Sequence, residues 1–247
     1  LLLRGAVWLA RETAQGVLSI ILPPHCDICG ASMDNDRSPV CESCFGEFKL
    51  VAGDYCTRCG ASLGHLVGVI GKCVNCEKNK KGFGVEAVAA AGPYDGKLRD
   101  LVLSLKYGRR LGLATVAAAW LTQLVLDRGF QPDLLTCVPL GKVRERERGF
   151  NQAGEVARRM AKLMGKPFEP RLLRRKRETT PQAQLPEESR AKNIRNAFEL
   201  GAMAERARSL RVLIVDDVLT TGSTMTEAAK TLRKAKPSAM RAAVVAR

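Results

Sequence analysis

Aromatic residues make up only 5% of this 247-residue chain, and the only histidines are His25 and His65. Residues 93–247 contain none, so no imidazole base is available there. Cysteine is just as unevenly placed: eight of nine lie between positions 26 and 76, and Cys137 is alone in the remainder. As a single thiol in an apolar run, Cys137 reads as a core residue rather than a nucleophile. Arg4, Arg11 and Glu12 interrupt the apolar opening "LLLRGAVWLARETAQGVLSIILPP". No stretch of about 18 uncharged apolar residues is left, so no membrane span is expected. Residues 1–22 read as a leading helix packed on the body and ended by Pro23 and Pro24. Two nucleotide signatures are also missing: every GK is followed by Cys, Leu, Val or Pro rather than completing GxxxxGK[ST], and no GxGxxG occurs.

Charge divides the chain. Residues 1–92 are net neutral, and the whole excess of +15 falls in residues 93–247. Lys142 to Arg177 alone hold 13 basic and four acidic residues. That stretch is expected to attract phosphates, unless it is only a solvated face.

The eight clustered cysteines form four CxxC pairs, Cys26/Cys29, Cys41/Cys44, Cys56/Cys59 and Cys73/Cys76. "CDICGAS" at 26–32 returns as "CTRCGAS" at 56–62, each followed by a plainer pair, so the module over 23–82 is one unit repeated. Each CxxC presents two thiolates on a tight turn, and two such turns complete a tetrahedral zinc site. The repeat assigns Cys26, Cys29, Cys41 and Cys44 to one zinc and Cys56, Cys59, Cys73 and Cys76 to a second. A disulfide framework does not suit a module joined to a cysteine-poor domain, and thioredoxin-like chemistry needs one CxxC rather than four. An iron-sulfur cluster also takes four thiolates, but the regular ribbon spacing favours zinc. With eight cysteines present, His25 and His65 read as bystanders.

From residue 83 onward strands and helices alternate. "VEAVAAAGPY", "LLTCVP", "FEPRLL", "VLIV" and "MRAAVVA" read as strands. "GKLRDLVLSLKYG", Leu111 to Leu126, Phe150 to Met164 and Met225 to about Ala235 carry helical periodicity. Such alternation predicts an α/β fold, a parallel sheet flanked by helices, with its ligand site at the carboxyl ends of the strands. Two loops there carry chemistry, "PLGKVRERERGFNQ" and "DDVLTTGST". In the second, Asp216 and Asp217 end an apolar strand, and Thr220 to Thr224 offer amides and hydroxyls around Gly222. Ser223 or Thr224 is expected to cap the following helix. The small hydroxyl loop suits a phosphate, while the paired acids suit hydroxyl groups or a metal. A ligand with a phosphate and vicinal hydroxyls, such as a ribose 5-phosphate, satisfies both.

"VLIVDDVLTTGST" resembles the phosphoribosyl pyrophosphate (PRPP) motif of type I phosphoribosyltransferases. Together with "RGFNQ" at 148–152, "LKYG" at 105–108, "TPQ" at 180–182, "RAKNIRNAF" at 190–198 and the leading double zinc ribbon, it makes the chain similar to the ComF family of competence and gluconate-utilisation proteins. The resemblance implies that Asp216 and Asp217 hold the ribose hydroxyls and stabilise positive charge at the anomeric carbon. It implies that Thr220, Thr221, Gly222, Ser223 and Thr224 wrap the 5-phosphate, and that Lys142 and Arg148 face a pyrophosphate whose Mg²⁺ is shared with the sugar. Arg174 to about Arg190 would form a lid. Two readings stay open: a phosphoribosyltransferase with an unidentified acceptor, and a non-catalytic PRPP sensor that binds single-stranded DNA through residues 142–177. Both imply a cytoplasmic protein linked to DNA uptake, with a competence helicase as partner.

Overall fold

The computed structural model describes residues 23–35, 37–51, 55–63, 73–78, 82–179 and 186–247. The leading helix expected over 1–22 and His65 lie outside the described residues. The zinc module contributes two short helices, α1 (Glu42–Gly46) and α2 (Val74–Lys78). The body then runs β1 (Val88–Gly92), α3 (Gly96–Tyr107), α4 (Gly112–Asp127), β2 (Leu134–Cys137), α5 (Lys142–Arg148) and α6 (Gln152–Met164). It continues with β3 (Leu173–Arg175), α7 (Glu187–Ile194), β4 (Phe198–Leu200), β5 (Arg211–Val218), α8 (Ser223–Leu232) and β6 (Ala239–Ala246).

Four strands form a parallel sheet in the order β1-β6-β5-β2, and β3 and β4 form a separate antiparallel pair. β5 is central, pairing with β6 and β2 along its two edges, and Val212 to Val215 are buried. Strand alternation sorts its side chains between two cores. Leu213 and Val215 pack with α3, α4 and α6, whereas Val212 and Ile214 pack with α8, Leu173 and Phe198.

The zinc ribbons straddle this sheet. Cys26, Val40 and Cys44 belong to the first core, and Cys56, Cys59 and Ala61 to the second. Phe48 meets Trp120 of α4 at 4.6 Å between ring centroids, and Arg110 reaches Asp27 at 3.3 Å, fixing the first ribbon. The segment between the ribbons covers the open edge of β1: the Val51 amide donates to the Ala91 carbonyl at 2.7 Å, which blocks pairing with another strand. The second ribbon touches the same strand, since a Cβ at Gly60 would lie 2.6 Å from the Val88 carbonyl oxygen.

Three local expectations need correction. "FEPRLL" is not one strand: Phe168 makes an isolated bridge to Leu135, Pro170–Leu172 is a 3₁₀ turn, and β3 starts only at Leu173. Proline at the first turn position removes a ladder donor and favours the turn. The stretch 142–148, read as loop, is helix α5, closed by Gly149 in the left-handed region. Finally, α8 starts at Ser223 with Gly222 as its cap, so neither Ser223 nor Thr224 is the capping residue.

Candidate functional site

β2 and β5 end at different heights, and the site follows from this. Their pairing stops at Cys137 and Val215, while β5 continues through Val218 against β6. Asp216 and Asp217 therefore project beyond the end of β2. By alternation Asp217 faces the α3 side, where Lys106 Nζ lies 3.2 Å from its Oδ2, both side chains being about one-sixth exposed. Asp216 takes the opposite side, and its Oδ1 accepts from the Asp217 amide at 2.9 Å. Burial and the neighbouring Asp217 charge push the Asp216 carboxyl up to about 8, against the pull of that amide, Lys106 and Arg175. Asp216 keeps some solvent-accessible surface, so its depth in the cleft, rather than complete enclosure, supplies the desolvation.

Beyond the acids, Thr220 to Thr224 line one small pocket together with Asp216 and Val218. Gly222 turns with φ 78°, and a Cβ there would overlap the Phe83 ring, so both conformation and space require glycine. Thr221 Oγ1 lies 3.0 Å from Ser223 Oγ and accepts weakly from the Ser223 amide at 3.4 Å. The start of α8 thus opens into this pocket, an electrostatic setting that favours an anion.

The loop after β2 supplies cations. Arg148 donates to Gln152 Oε1 at 2.9 Å and lies 5.2 Å from the Tyr107 ring centroid. Lys142 stands exposed at the start of α5, whose Val143 amide donates to Glu178 at 3.3 Å. The loop is anchored by Asn151, which caps α6 through Gly154 N at 3.1 Å and donates to the Val138 carbonyl at 3.0 Å.

Three further residues join the site: Lys106 and Gln152, which the sequence did not single out, and Arg175, expected in the lid. Arg175 donates to Thr179 Oγ1; burial, then the nearby Arg144 charge, lowers its guanidinium to about 10. Gln152 is 1% exposed and its Nε2 has no hydrogen-bond partner among the described residues. "LKYG" and "RGFNQ" contained two of these as quoted motifs, but nothing local in either motif shows that Lys106 reaches β5. The expected lid is partly described: Arg174 and Arg175 lie in β3 and residues 187–190 in α7, while 180–185 lie outside the described residues.

The cysteines gather as the repeat requires. In each set of four, the Sγ atoms all lie within 4.8 Å of one another. Cys29–Cys41 is 3.8 Å, and Cys56–Cys76 and Cys59–Cys73 are each 3.6 Å. A tetrahedron with Zn–S bonds of about 2.3 Å has S···S edges of about 3.8 Å, so both sets fit zinc, which would be structural because four thiolates leave no open position. No disulfide links them.

A phosphoribosyltransferase-type sheet joined to two zinc ribbons is the class these features define. Residues 111–247 match the Phosphoribosyl transferase domain family, and residues 17–77 the Double zinc ribbon domain. The "DNA utilization protein YhgH" of Salmonella typhi is 30% identical over 218 residues, 86% of this chain and 92% of the relative. "Competence protein F" of Haemophilus influenzae is 29% identical, covering 85% and 91%, and "Competence protein ComFC" of Bacillus subtilis is 24% identical, covering 91% and 93%. The chain belongs to the ComF family of double-zinc-ribbon phosphoribosyltransferase-domain proteins.

Proposed function

We propose that the chain binds PRPP with Mg²⁺ at the carboxyl end of β5 and transfers its phosphoribosyl group to a nitrogen acceptor. The observation that carries this reading is the junction of the Asp216/Asp217 pair with the glycine turn at the start of α8. The amides and hydroxyls of Thr220 to Thr224 receive the 5-phosphate, and the side chains of Asp216 and Asp217 receive the ribose hydroxyls. Lys142 and Arg148 face the pyrophosphate, joined by Arg175. Mg²⁺ would enter with the pyrophosphate and neutralise part of its charge. The acceptor nitrogen's lone pair bonds to C1′ while the C1′–O bond breaks, its electrons leaving on pyrophosphate and the nitrogen's proton passing to solvent. Positive charge on the ribose during this step is stabilised by Asp217, and by Asp216 in the fraction that has lost its proton.

A second reading, PRPP sensing by a cytoplasmic single-stranded-DNA-handling protein beside a competence helicase, draws on the relatives' names and on the basic excess. Pyrophosphate release from magnesium-PRPP over a panel of amines and bases separates the two. Turnover supports transfer, and stoichiometric binding without turnover supports the sensor. Absence of both binding and turnover contradicts each reading.

A further inference from the structure

Next to the phosphate turn lies a larger cavity, of about 330 Å³, lined jointly by the second zinc ribbon and the body. Its volume lies within the range of small-molecule sites, roughly 300–1,000 Å³. Ser62 and Asn75 line it from the ribbon, Pro93 from the residue after β1, Leu219 and Thr220 from the phosphate turn, and Arg247 from the residue after β6. Leu219 and Thr220 also line the phosphate pocket, so the two cavities share one wall. The ribbon is a fixed part of it: Cys59 is fully buried, and Arg247 Nη1 donates to the Cys59 carbonyl at 2.9 Å. Arg247 also lies 5.0 Å from the ring centroid of Phe83, the residue packed against Gly222.

From this geometry we infer that the ribbon-walled cavity is the acceptor site, and that it takes a nitrogen acceptor bearing carbonyl or carboxylate oxygens. This rests on the phosphoribosyl reading. Its described lining side chains include a guanidinium, which only donates, and an amide and two hydroxyls, which can donate, but no carboxylate, so oxygen acceptors suit them. Pro93 adds partly exposed apolar surface, while Leu219, 2% exposed, is the packed wall shared with the phosphate turn. The second ribbon therefore selects the substrate while its zinc holds the wall in place.

Hypoxanthine and nicotinate serve as probes of the two chemical sources, an oxo-heterocycle and an aromatic carboxylate. Saturation-transfer NMR with zinc-loaded full chain and magnesium-pyrophosphate is expected to show binding of at least one. Asn75→Trp, which fills the cavity from an exposed helix position, should weaken that probe by about tenfold or more while PRPP affinity stays within about twofold. Ser62→Trp gives an independent block from the other wall should Asn75→Trp melt early. A protein that binds magnesium-PRPP but neither probe, or whose folded blocking variants bind the probe like wild type, overturns the acceptor site and leaves the PRPP reading standing. Binding of neither PRPP nor probe overturns both.

Discussion

Asp216 ties the site's electrostatics to stability. An aspartate in an unfolded chain titrates near 3.9, whereas burial and the Asp217 charge lift this one to about 8. Between about pH 4 and pH 8 the folded protein therefore holds a proton that the unfolded chain has released, and stability falls as pH rises through that window. Asp216→Asn removes the titration. Its melting temperature relative to wild type should be nearly equal at pH 4 and higher by several degrees above about pH 8, at about 2–4 °C per kcal/mol for this size. Melts in the absence of PRPP and Mg²⁺ measure this, and a difference that does not vary with pH contradicts it. Lys106 acts on the other acid. Lys106→Met leaves Asp217 half-buried without its cation and should cost about 1–3 kcal/mol. The Lys106→Met/Asp217→Asn double variant should lose less than the sum of the singles, and strict additivity in denaturant titrations would show that the 3.2 Å pair carries no coupling.

At the scale of elements, the turn between β5 and α8 is the most constrained. Gly222→Ala would place a left-handed alanine against Phe83, costing roughly 2–5 kcal/mol from backbone strain and overpacking together. Asn151→Ala removes the α6 cap and the bond to Val138, a loss of about 1–2 kcal/mol. Urea unfolding checks both, and a Gly222→Ala variant as stable as wild type would contradict the packing described. These elements also show what sequence could reveal. The buried strands β2, β5 and β6 were legible because apolar runs mark them without reference to anything distant. Helix α5 was not, because Lys142 to Arg148 is charged nearly all round and has no apolar face to reveal a period. β3 and β4 are three residues each and depend on one another across the intervening α7, so neither carries a local signal. The Lys106–Asp217 contact joins α3 to β5, and the Arg247 clamp joins β6 to a ribbon; both arise only on folding.

Across the whole molecule, the ribbons and the sheet share their cores, so zinc loss should be felt by the body. Structural zinc contributes about 10–16 kcal/mol of apparent binding energy in small domains. Protein purified without added zinc should carry two zincs per chain, and chelation should unfold ribbons and body in one transition. Metal analysis giving one or none would contradict the assignment. The basic excess is spread rather than aligned: Arg171 pairs with Glu169, Arg174 with Glu199, and Arg175 turns into the site. The most direct measurement of the central claim is calorimetric titration of the zinc-loaded chain with PRPP, with and without Mg²⁺, beside the Asp216→Asn/Asp217→Asn variant. Saturable, magnesium-dependent binding that is lost in a folded double variant is the expected result; equal affinity in the two proteins, or no binding by wild type, would contradict it.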